Sequence, residues 1–194
     1  MVTTAGWVSA FIDRVEAGHE QLTDLDRLAG DGDFGDNLLA AVRRAKAAQS
    51  ESTQPFRALT LAFMDAGGTS GPLLGMWFRA FSRTVSDPLA VEDVAKAASD
   101  GLLAIQQAAG ARVGDNTMVD AMAPAVDALD GATGDVGDVL ARVAEAAAAG
   151  AESTGALLGR KGRSSYVGDH ALGVVDPGAL AIAWFFEAAG STSS

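Results

Sequence analysis

An all-α fold of about eight helices is what this sequence predicts, on three observations. Apolar residues recur at helical spacing almost throughout, as in "WVSAFIDRVEA" (7–17) and "FRALTLAFMDA" (56–66). No stretch alternates apolar and polar residues convincingly, as a half-buried strand would. Gly, Pro and Asp punctuate the chain at helix-length intervals.

The first helix is expected over 3–26, running toward the acid-rich stretch that follows it. The second is expected over 35–49, opened by Asp36 or Asn37, both good N-caps. The third (55–66) and fourth (70–85) flank "GGTSGP". Asp87-Pro88 ends the fourth, because a residue before proline avoids the helical region, and "SDPLAVEDV" opens the fifth over 91–109. The sixth is expected over 116–129. The seventh, 135–157, falls in "GDVGDVLARVAEAAAAGAEST", whose small residues suit close packing. The eighth covers 177–189, with Asp176 as N-cap and Pro177 at the first helical position. The tail "GSTSS" reads as frayed. No repeat or low-complexity linker interrupts the chain, so 1–194 reads as one domain.

The composition allows a sizeable core, with 48% hydrophobic residues in 194. No apolar run approaches the roughly 20 residues that span a bilayer. The start, "MVTTAGWVSAFIDRVEAG", lacks basic residues at its head and is interrupted by Asp13 and Arg14, unlike a signal peptide. The absence of cysteine excludes disulfides, thiolate catalysis and cysteine-ligated zinc. A cytoplasmic protein is the simplest reading. A formal charge of -11 opposes nucleic acid and anionic membranes as partners. It admits a phosphorylated small ligand, provided cations or backbone amides assist locally.

Four polar, glycine-containing segments separate the helices: "GDGDFGDN", "GGTSGP", "GARVGDNTM" and "GRKGRSSYVGDHALGVVDPG". Connections in helix bundles are usually short and plain, so these are expected to converge at one end and form a site. In the first, Asp26, Asp31 and Asp33 stand five and then two residues apart. Such carboxylates repel unless a cation or a proton joins them, and hard ions such as Mg²⁺ or Ca²⁺ suit an oxygen-only set. An EF-hand is rejected, because the fifth and twelfth loop positions from Asp31 are Gly35 and Val42. Magnesium ligation and simple helix capping both remain compatible with the spacing.

"GGTSGPLLG" (67–75) offers glycines, the hydroxyls of Thr69 and Ser70 and a helix start, all suited to phosphate oxygens. It lacks the lysine of a Walker loop. Arg160, Lys161 and Arg163 place three positive charges within four positions. An arginine there can offset charge in phosphoryl transfer, and a solvated basic loop is the plain alternative. Met118 suits either a flat adenine ring or the core. His19 and His170 sit in no metal-ligand spacing and read as surface or supporting residues.

Taken in order, these segments resemble the nucleotide-binding L subunit of bacterial dihydroxyacetone kinase. The matches are Leu25-Asp26, Gly30 to Asp33 with Gly35-x-Asn37, Gly67 to Leu73, Gly114 to Met118, Lys161 to Gly168, and Asp176 to Ala179. The resemblance covers nearly the whole chain. It implies a barrel of eight antiparallel helices with ADP or ATP at one end. Two Mg²⁺ ions would be held by Asp26, Asp31 and Asp33. Gly35, Asn37, Thr69, Ser70, Met118, Arg163, Asp176 and Pro177 would contact the nucleotide, and Arg163 would support transfer as the catalytic cation.

The resemblance further implies phosphoryl transfer to dihydroxyacetone held on a separate K subunit, without which this chain is inactive. A phosphorylated carrier, the M subunit, would recharge bound ADP in one branch of the family, and free ATP would serve in the other. Two further roles fit the pattern: a nucleotide-loaded partner of a transcription regulator, and a kinase subunit for another polyol, ketose or fatty acid. Three positions depart from the family pattern. Phe34 stands where histidine is frequent, Asn116 where lysine is, and "GDHA" with His170 where Gly-Glu-Arg-Ser is.

Overall fold

The computed structural model describes residues 1–49, 54–159 and 172–191. All regular structure among them is helical. The elements are α1 (Thr4–Ala29), α2 (Phe34–Ala48), α3 (Pro55–Met64), α4 (Ser70–Thr84), α5 (Val91–Ala109), α6 (Val119–Leu129), α7 (Val136–Ser153) and α8 (Pro177–Ser191). A 3₁₀ turn, Thr154–Ala156, continues α7.

Each helix packs against the next, and α8 packs against both α7 and α1, so the eight close into a ring. Successive helices are antiparallel. The C-termini of α1, α3, α5 and α7 therefore share one end of the barrel with the N-termini of α2, α4, α6 and α8. No described helix is long and apolar enough to cross a membrane.

The seam between α8 and α1 explains the apolar excess of α8. Its residues Ala181, Ile182, Ala183, Trp184, Phe185 and Phe186 are all buried, as a helix hydrophobic on every side must be. Phe185 is the hub. Its ring stacks on Trp7 at 4.7 Å between centroids and meets Phe11 and Phe81 edge-on at 5.5 and 5.1 Å. The Trp7 Nε1–H donates to the Phe185 carbonyl at 2.6 Å, which satisfies a polar atom inside this aromatic core.

Small residues set the tightest approaches, as the composition of α7 foretold. A Cβ on Gly150 would lie 3.0 Å from both Ala121 Cα and Pro124 Cγ of α6. At the end away from the even N-termini, Asp87 closes the first turn of α1. It accepts from the Thr4 amide at 2.9 Å and from the Thr4 hydroxyl at 2.8 Å.

Several expected boundaries shift. The second helix starts at Phe34 with Asp33 as N-cap, not at Asp36 or Asn37, which lie inside its first turn. The first helix runs to Ala29, and the sixth starts at Val119 because Gly114 and Asn116 have positive φ. The seventh ends at Ser153, where the chain tightens into the 3₁₀ turn. The eighth extends to Ser191, so the first two residues of the expected frayed tail are helical.

Candidate functional site

At the end where the even-numbered helices begin, the ring encloses a cavity of about 280 Å³. Residues of three of the four polar segments, and the Asp-Pro-Gly of the fourth, line it. Asp26, Asp31, Asp33, Asn37, Thr69, Ser70, Met118, Asp176 and Pro177 all belong to the wall.

The acidic side is built where α1 hands over to α2. Asp26 is buried in the last turn of α1, and its Oδ2 accepts from the Phe34 amide at 3.0 Å, fixing the start of α2. Gly30 leaves room for that carboxylate, since any Cβ there would overlap Asp26 Oδ1. Gly32 turns the chain at φ +82, placing Asp31 and Asp33 at exposed positions beside the buried Asp26. Among the described residues, no three carboxylate or imidazole groups are already gathered as a ligand set. The donor chemistry still suits a hard ion: carboxylate oxygens only, on one cavity wall.

Asp33 and Thr69 sit at the N-caps of α2 and α4 and are capable capping residues, yet neither side chain makes a cap hydrogen bond. At the opposite end Thr3, Gln54 and Asp135 do cap their helices. At the starts of α2 and α4 the cavity end thus keeps oxygens and first-turn amides available where the helix dipoles favour an anion. Asn37 reaches across to the glycine turn before α4. A Cβ on Gly67 would lie 3.2 Å from its Oδ1.

Gly35, expected at the nucleotide, is not part of the wall. It is buried beneath α1, where a Cβ would lie 2.5 Å from the His19 carbonyl oxygen and 2.7 Å from the Thr23 amide. The glycine is required by the α1–α2 crossing. Phe34 is half-buried and does line the cavity.

The far wall comes from the α5–α6 connection and the start of α8. Asp120, buried in the first turn of α6, accepts from Gly114 N at 2.5 Å and Thr117 N at 2.9 Å. The Thr117 hydroxyl accepts from Val119 N at 3.2 Å, so side chains on both sides of the N-cap Met118 hold the turn into α6. The sequence reading passed over Asp120 and Thr117, although the Thr-x-x-Asp spacing was a usable signal. Met118 is buried and still belongs to the cavity wall.

Asp176 caps α8 as expected, accepting from Ala179 N at 2.7 Å. Enclosure at the cavity floor pushes its carboxyl up to about 7, opposed by the Ala179 amide and reinforced by the charges of Asp120 and Asp26. Between pH 3.8 and about 7 the folded protein therefore holds a proton that the unfolded chain has released. The free protein should lose stability as pH rises through that window and level off above it. Asp176→Asn is expected to flatten this dependence, which melts across the window without nucleotide would show. An unaltered slope would contradict the enclosure of the carboxyl.

Arg163, with Arg160, Lys161 and His170, lies outside the described residues.

Residues 28–191 match the family described as the DAK2 domain. The chain belongs to the DAK2 domain family. This DAK2 chain is 34% identical over 189 residues to the ADP-binding subunit of PEP-dependent dihydroxyacetone kinase 1 of Listeria innocua, a match covering 94% of this chain and 91% of that subunit. It is 33% identical to the ADP-binding subunit of the PTS-dependent dihydroxyacetone kinase of Lactococcus lactis, covering 95% and 94% of the two. The native dihydroxyacetone kinase of C. freundii superposes with a TM-score of 0.75 at 28% identity, over 98% of this chain and 34% of that longer one. The same kinase in complex with AMP-PNP and Mg²⁺ gives 0.70. The DAK2 chain thus corresponds to nearly all of the separate subunits and to a third of the longer kinase.

Proposed function

We propose that this DAK2 chain is the nucleotide-binding subunit of a dihydroxyacetone kinase. It would act in the cytoplasm as one domain and transfer a phosphoryl group from bound ADP/ATP coenzyme to dihydroxyacetone held on a separate K subunit. The observation that supports this best is convergence. Side chains scattered from Asp26 to Pro177 line one cavity whose acids, hydroxyls and helix N-termini match what a metal-bound polyphosphate requires.

Asp26, Asp31 and Asp33 would hold two Mg²⁺ ions. Bound magnesium neutralises phosphate charge and orients the donor. Thr69, Ser70 and the first amides of α4 receive phosphate oxygens. Asn37 secures the turn before α4. The apolar side, with Ile105, Ala109 and Met118, accommodates the base. Arg163 would supply the compensating positive charge. The relatives named as PEP- and PTS-dependent favour a phosphorylated carrier as the donor that recharges ADP in place.

Purified chain, K subunit and dihydroxyacetone should yield dihydroxyacetone phosphate with the phosphorylated carrier, and none when either subunit is left out. ATP in place of the carrier tests the other branch. Failure with both donors, in a mixture where the K subunit binds its ketone, would overturn the assignment.

A further inference from the structure

We infer that Asn116 is a specificity-determining residue of this cavity, its side-chain carbonyl accepting a hydrogen bond from the exocyclic amino group of a 6-aminopurine. The inference rests on the nucleotide reading above and goes beyond it, because neither the motif nor the metal chemistry requires an amide here.

Asn116 is the one non-glycine residue with positive φ among those described, at +60. Asparagine tolerates that region better than most side chains. The strain is held from both sides, since Asp120 pins the amides of Gly114 and Thr117. The residue is 2% exposed, yet it belongs to the cavity wall. Its Nδ2 donates to the Leu157 carbonyl at 3.3 Å, across 41 residues of sequence. That bond fixes the amide orientation, since the flipped rotamer would set two acceptors face to face.

Oδ1 is then left buried with no partner. A buried acceptor without a donor is costly, and native proteins leave few of them. A bound ligand bearing an N–H supplies what is missing.

The ring tells which part of a nucleotide this would be. The acids belong to the α1–α2 connection, and Asn116 lies between α5 and α6, across the barrel. With phosphates on the acidic side, the base reaches the Asn116 side, where Ile105, Ala109 and Met118 supply apolar cover. A purine amino group is an N–H donor on the base edge, whereas a 6-oxo group would set acceptor against acceptor.

Calorimetric titration with magnesium tests this, using ADP, IDP and the diphosphate of unsubstituted purine riboside. The intact protein should bind ADP about tenfold or more tightly than either analogue. Asn116→Gly keeps the positive φ at no steric cost, and should bind all three alike. Equal affinities in the intact protein, or the same preference retained in Asn116→Gly, would overturn the role of Asn116 and leave the nucleotide site standing. Absence of ADP binding to the intact protein would remove both. The comparison on the intact protein can overturn the proposal even if the variant folds poorly.

Discussion

Asp31→Ala is expected to weaken ADP binding in the presence of magnesium by about 100-fold, or roughly 2.7 kcal/mol. The proposed role of Asp31 is to supply a ligand oxygen to magnesium in the nucleotide complex. Titration with and without magnesium isolates that role. With the ion withheld, the variant and the intact protein should bind ADP alike. An Asp31→Ala protein that binds magnesium-ADP at full strength would remove the metal role from this acid.

Phe185→Ala is expected to destabilise the fold by about 3–5 kcal/mol. That is a large part of the 5–15 kcal/mol that holds a typical domain together. The side chain is fully buried and in ring contact with Trp7, Phe11, Phe78 and Phe81. With Phe56 at 6.1 Å, its ring neighbours on other helices come from α1, α3 and α4, so the vacated volume cannot be closed by one helix moving alone. Leu61→Ala is the matched comparison. Leu61 is 58% exposed on α3, and its loss should change stability by no more than about 0.5 kcal/mol. Urea unfolding of both variants gives the numbers. Similar midpoints for the two would show that the aromatic cluster does not govern closure of the ring.

The all-helical class was legible because apolar spacing is a local signal, and it placed every helix to within a few residues. Boundaries went astray where side chains act at a distance. Asp36 and Asn37 are good caps by type, yet α2 begins three residues before Asn37 because the Asp26 carboxylate, from another helix, receives the Phe34 amide. Convergence of the polar loops was foreseen from their composition, and most of the residues singled out there line the wall, with Gly35 the exception. Gly35 looks like any glycine in a phosphate-facing turn, and only the crossing with Thr23 and His19 reveals its packing duty. Asn116 was visible only as a departure from a family pattern. Its unpaired carbonyl depends on where Leu157 lies, which no short window of sequence contains.

The link from the Trp7 indole to the Phe185 carbonyl joins residues 178 positions apart. A contact of such separation can form only when nearly the whole chain is present. On a ribosome, the first seven helices would emerge as an open arc whose apolar edges wait for the eighth. Asp176 and Pro177 arrive with that same helix, so an incomplete chain has neither its last stave nor the floor of its pocket. Capture of the coenzyme would then report that synthesis has passed α8, and half-made chains would not withdraw nucleotide from the cell.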